Sequence, residues 1–151
     1  MIAWLAFLSL GVSVLIFGTG ELVTIRERLI IFAADDVLWR FAWAYTFSIL
    51  SMSTVFALSF FFSSMVQNAI GPIVTTMAVI IVFLILSALP IDFLETLRPY
   101  FFTTHMPKWS GFFDDPIDTT DMLKSAGVLI AHIIGLYAIT TYIFIKKDIL
   151  S

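Results

Sequence analysis

Three stretches of this chain contain no Asp, Glu, Lys or Arg: Ile2 to Gly20 is 19 residues long, Phe41 to Ile91 is 51, and Ser125 to Ile145 is 21. A helix rises 1.5 Å per residue and the hydrocarbon core of a bilayer is about 30 Å thick, so about 20 apolar residues make one crossing. The first and third runs each suit one helix. The middle run is too long for one, and its break is expected where Ser63, Ser64, Gln67, Asn68, Gly71 and Pro72 gather. Hydroxyls, amides, a glycine and a proline close together end one helix and begin another, and Pro72 fits the first turn of the new one. The expected fold is therefore an all-α membrane protein of about four transmembrane helices, near 2–20, 41–62, 71–91 and 125–145. The whole chain, 1–151, is then one transmembrane domain in the lipid bilayer of the cell membrane.

Composition agrees with bilayer as solvent. Hydrophobic residues make up 60% of the 151 and charged residues 13%, against about 25% charged in soluble domains, and mean hydropathy is +1.03. A net charge of −3 offers no basic surface for nucleic acid, so that partner is set aside. With no cysteine, disulfides, iron–sulfur clusters and thiolate zinc sites are excluded. A cleaved signal peptide is not expected, because the first apolar run has no basic leader and the Gly-Thr-Gly-Glu at its end is a poor cleavage site.

The connections differ in kind. Residues 21–40 mix Arg26, Glu27, Arg28, Asp35, Asp36 and Arg40 with aliphatic residues. Thr24 and Glu27 have capping-box spacing, so a short interfacial helix is expected there, and Asp36 is expected to cap the second span. Residues 92–124 hold six acids against Arg98, Lys108 and Lys124, interleaved with Tyr100, Phe101, Phe102, Trp109, Phe112 and Phe113. Aromatics at that density suggest a long polar-aromatic loop that dips into the headgroup layer or folds back into the protein.

Several polar residues inside the spans invite a functional reading. His132, about a third of the way into the last span, is a possible polar site; its structural alternative is a neutral ring sharing a hydrogen bond with a neighbouring helix. His105 lies in the polar loop, too far away in sequence for the two to make a metal site on spacing alone. Gly127, Ala131 and Gly135 recur every four residues and form a small-residue stripe for helix packing, within the chain or at a dimer seam. Ser48, Ser51, Ser53, Thr54, Ser59, Ser63 and Ser64 either line a polar path or return hydrogen bonds to their own helix. Asp35-Asp36 and Asp114-Asp115 lack the spacing of a ligand set or an acid/base pair. No phosphate-binding Gly-Lys loop, nucleophile elbow, zinc helix motif or Cys pair occurs, so neither enzymatic activity nor a cofactor is expected, and any ATP-dependent work needs an ATPase on another polypeptide.

Two stretches resemble type-2 ABC transporter permeases. Ala57 to Pro72, Ala-Leu-Ser-Phe-Phe-Phe-Ser-Ser-Met-Val-Gln-Asn-Ala-Ile-Gly-Pro, is similar to a span ending in Ser-Ser, a short polar turn and a second apolar span. Tyr137 to Ile149 resembles that family's last span running into a basic-acidic tail, and the aromatic loop from Arg98 to Trp109 sits where the family has its large outer loop. Such permeases usually have six spans; this chain resembles the last four, without the first two and the coupling helix that docks on the ATPase. The resemblance implies a permease subunit moving substrate by alternating access, partnered by an ABC ATP-binding subunit and by a second permease copy or the missing N-terminal half. It also implies that the ends and the 63–70 turn face the cytoplasm. The count of basic residues points the other way, since six of the eight Lys and Arg fall in the loops of the opposite face. The alternative from another class is a small four-helix scaffold or assembly factor that transports nothing.

Overall fold

The computed structural model describes residues 2–18, 20–25, 29–66, 68 and 70–148. It is predominantly helical: α1 (Ile2–Phe17), a hairpin of β1 (Leu22–Ile25) and β2 (Leu29–Phe32), α2 (Ala34–Met65), α3 (Ile70–Ala88), α4 (Asp92–Leu97), α5 (Phe102–His105) and α6 (Thr119–Asp148). Two 3-10 stretches, Arg98–Tyr100 and Met106–Phe113, flank α5.

Three helices, α2, α3 and α6, are long and apolar enough to cross a membrane. The first apolar helix is shorter than expected. α1 stops at Phe17, where Gly18 takes a left-handed conformation (φ 73°) and its N–H returns to the carbonyl of Val14 at 2.9 Å, a glycine helix end. Its 16 residues extend about 24 Å, short of a full core crossing.

The segment expected to be an interfacial helix is instead a β-hairpin, with Leu22 opposite Phe32 and Ile25 opposite Leu29. Leu-Val-Thr-Ile and Leu-Ile-Ile-Phe are β-branched runs separated by three residues, a pattern that a pleated ribbon accommodates better than a helix. Burial alternates along it: Phe32 is buried, Leu22 and Ile30 are partly buried, and Val23 and Ile31 are exposed. Thr24 lies in β1 opposite Ile30, so it opens no capping box; Glu27 lies outside the described residues.

The second span begins earlier than its uncharged run. α2 starts at Ala34 and takes in Asp35, Asp36 and Arg40, because carboxylates in a first turn are favoured by the helix dipole. Asp36 is not the cap. Ala33 holds that position without a side-chain bond, while Asp36 accepts a hydrogen bond from the Trp39 indole at 3.0 Å. At its other end α2 runs through Ser63 and Ser64 to Met65. The break between α2 and α3 is therefore narrower than 63–70 and begins at Val66. Asn68 caps α3, its Oδ1 accepting the Gly71 N–H at 2.6 Å. A side chain on Gly71 would collide with that oxygen (2.6 Å) and with Val66 Cγ1 (2.9 Å). Pro72, buried, is the third residue of α3, where its missing N–H has no helical acceptor to serve.

The core lies where α2, α3 and α6 meet the folded connection: Phe47, Leu58, Phe102 and Leu129 are buried together, with Phe62, Val79, Phe83 and Leu136 packed around them. A second cluster of Phe32, Ala44 and Phe113 joins the hairpin to the start of α2 and to the connection.

Candidate functional site

The connection between α3 and α6 is folded into the bundle. Pro90 cannot continue a helix and biases Leu89 away from helical geometry, and Arg98 turns back to donate to the Leu89 carbonyl at 2.7 Å. The chain then returns through Pro99 to α5, which packs on α3 and α6. Phe101 and Phe102 then pack on Phe83 of α3, with ring centroids 5.0 and 5.6 Å away. Of the two outcomes open to the aromatic segment, folding back into the protein is the one observed, as short helical turns.

His105 and Arg40 hold this segment. His105 is buried, with Nε2 2.8 Å from the Pro99 carbonyl and Nδ1 2.9 Å from Ser125 Oγ. A carbonyl only accepts, so Nε2 donates; a neutral ring then accepts the Ser125 hydroxyl at Nδ1. The pair has the elements of a base and a nucleophile, but Ser125 is 0% exposed and the distal nitrogen meets a carbonyl in place of a carboxylate. It is a tie between the segment and α6. Its sequence signal was the company His105 keeps: a histidine beside Phe101, Phe102 and Met106 in a segment that folds inward is itself carried inward.

Arg40, at 6% exposure, joins three elements. One terminal nitrogen donates to the carbonyls of Phe112 (2.9 Å) and Asp114 (3.0 Å). The guanidinium lies 4.3 Å from the Phe32 ring centroid, and Asp36 is 3.9 Å away. Its Nε has no partner among the described residues. Around it Phe113 packs edge-on to Phe41 at 5.0 Å and Phe112 stacks on Trp43 at 6.5 Å. Lys108 pairs with Asp121 at 2.5 Å, and Ser51 donates to the Met106 carbonyl at 3.3 Å. A cation counted with the soluble charges in the sequence is thus the bolt between hairpin, α2 and the 106–114 turn.

The residues singled out from sequence do not converge. His132 donates from Nδ1 to the Val128 carbonyl one turn back, at 2.8 Å, and its ring lies 5.7 Å from that of Phe102; its polar partner is its own helix. Ser63 is exposed and Ser64 buried, both in the last turn of α2, where Ser64 donates to Phe61 at 2.7 Å. The hydroxyls of Ser48, Ser53 and Thr54 return to carbonyls four residues back, the silent arrangement. Gly127 and Ala131 are exposed and Gly135 half-buried, and Cβ atoms built on either glycine would touch nothing within 4 Å. The stripe points away from buried Ser125, Leu129 and Thr140 on the same helix, and among the described residues nothing packs on its two glycines.

Between α2 and α6 lies an open groove of about 660 Å³. Trp39, Trp43, Thr46, Leu50 and Ser53 form its α2 wall, Thr119, Met122, Leu123 and Ala126 its α6 wall, and Phe112 lines it beside Trp43 and Phe47. Thr46 and Ser53 turn their hydroxyls to backbone carbonyls of α2, so they present little polarity to the groove. Among the described residues no cluster of three or more His, Cys, Asp or Glu is placed to hold a metal ion. No protein-family model, curated protein or solved structure matches the chain.

Proposed function

We propose that the chain is the transmembrane permease subunit of an ABC transporter, powered by a separate ATP-binding subunit and completed by a second permease copy or an N-terminal half. α1 makes a fourth crossing, thinning the bilayer around its 16 residues, and the ends and the 66–70 turn face the cytoplasm. Substrate passes along a seam that rocks open when the ATPases close.

The observation that carries this reading is the outward stripe of Gly127, Ala131 and Gly135, with no other described residue within 4 Å of the two glycines' Cβ positions. Small residues let another backbone approach in lipid, where no hydrophobic drive separates helix contacts from lipid contacts. The residues that resemble the permease turn and tail, and the aromatic connection seated on the spans, support the same assignment.

The test is affinity purification of the tagged chain from its own membranes in mild detergent. Copurification of an ATP-binding cassette subunit, released by Gly135→Leu, is the expected result. Recovery of an unrelated membrane enzyme with no ATPase would replace the permease with the scaffold.

A further inference from the structure

The exposed apolar side of α3 does not stop where the helix does. Ile81, Ile85 and Leu89 follow one another at four-residue spacing and are exposed, while Val79, Ile80 and Phe83 on the other side pack on the core. Leu89 still donates its N–H to the Ile85 carbonyl at 3.2 Å. Past the Pro90 break Ile91 is exposed and Phe93 is 72% exposed, so the apolar surface of α3 continues into α4.

Within its six residues α4 has two unlike sides. At about 100° per residue, Asp92, Glu95 and Thr96 share one side and Phe93, Leu94 and Leu97 the other. The three polar residues are exposed, and Leu94 and Leu97 are half-buried. The protein thus covers one edge of the apolar side and leaves the Phe93 ring uncovered among the described residues.

The level of this ring follows from α3. Its 19 residues extend about 28 Å, close to the thickness of the hydrocarbon core, beyond which the headgroup layer adds about 5–7 Å on each side. With α3 across the core, Leu89 is at the boundary. Ile91 is held there, its N–H donating to the Leu89 carbonyl at 2.9 Å, and Phe93 is two residues further on, about 7 Å at most. Arg98 donates to the same carbonyl at 2.7 Å and ties the far end of α4 back to it. An apolar side chain at this depth, continuous with a helix face that acyl chains clothe, meets lipid before it meets water.

We propose that the elbow between α3 and α4 is a lipid contact: Ile91 and Phe93 sit among the headgroups and the first acyl carbons, while Asp92 and Glu95 stay in water. The connection is then held from two directions, by Phe101 and Phe102 on the bundle and by Ile91 and Phe93 in the bilayer. This rests on α3 crossing the membrane and not on the permease reading.

The sequence has no cysteine, so Ile81→Cys, Ile91→Cys, Asp92→Cys, Phe93→Cys and Glu95→Cys can each carry a single nitroxide on the full chain in phosphatidylcholine nanodiscs. Collision with oxygen, which concentrates in lipid, is compared with collision with a water-soluble nickel chelate. The ratio of oxygen to nickel access should be highest at 81, intermediate at 91 and 93, and lowest at 92 and 95. Nickel access at 91 and 93 equal to that at 92 and 95 would put the ring in water, and low access of both reagents at 93 would mean that protein covers it. Either result overturns the proposal and leaves the permease standing. Free nickel access at 81 would overturn both, because α3 would not cross.

Discussion

Replacing Arg40 with alanine should unfasten the outer connection without unfolding the spans. The side chain supplies two charge-assisted hydrogen bonds, at 2.9 and 3.0 Å, each worth about 1.5 kcal/mol at the low end for a charged donor. The Phe32 contact at 4.3 Å adds about 0.5 kcal/mol. Asp36 contributes little, being 56% exposed and 3.9 Å away. The loss is then about 3.5 kcal/mol, which multiplies the local opening equilibrium by about 370. Hydrogen exchange in detergent or nanodiscs reads this directly: amides of 106–114 and of the hairpin should exchange between about two and three orders of magnitude faster, with those of α3 unchanged. Arg40→Lys should fall between, because a point donor cannot reproduce the fork, and Arg40→Met should resemble alanine, since packing is kept but both carbonyls lose their donor. Exchange within threefold of the parent in both the alanine and methionine variants would refute the assignment of Arg40 as the bolt.

Ser125→Ala removes the hydroxyl from His105 Nδ1 in a fully buried setting, at a cost of about 1–2 kcal/mol, and should be seen as faster exchange around 102–106. His132→Asn or His132→Gln should leave folding and transport largely intact, measured as membrane abundance and flux, because its bond is to Val128 of its own helix; lost flux at normal abundance would make His132 functional. Gly71→Ala should weaken the α3 cap by about 1 kcal/mol as its methyl displaces Asn68, and combining it with Asn68→Ala should add little in a thermal unfolding series. Gly127→Leu and Gly135→Leu have open space around them in the single chain and should leave its unfolding unchanged while lowering the yield of assembled complex; leucine at Ile133 or Phe144 should be tolerated.

Long uncharged runs were legible because the bilayer imposes a length on them, and α2, α3 and α6 follow from it. The first run exceeded its helix because Gly18 stops it within an otherwise apolar stretch. Residues 22–32 misled because a capping-box spacing over four residues competes with two β-branched runs, and the pairing of those runs is non-local. Aromatic density in 92–124 left two outcomes open, a dip into the headgroup layer or a fold back into the protein, and nothing local marks Arg40 as buried: its carbonyl partners lie 72 and 74 residues away. The hydroxyls of α2 left two readings open, a polar path or bonds returned to their own helix, and Ser48, Ser53 and Thr54 take the second, since a hydroxyl four residues after a carbonyl satisfies itself without any partner.

Sidedness of labelling tests the four-span permease most directly. In sealed vesicles of known orientation, the turn at Asn68 and a tag ahead of Ile2 should be reached from the cytoplasmic side, and a cysteine at Asp115 only from the other. A tag ahead of Ile2 that is reached from the same side as Asp115 would mean that α1 does not cross, leaving three spans and contradicting the permease topology.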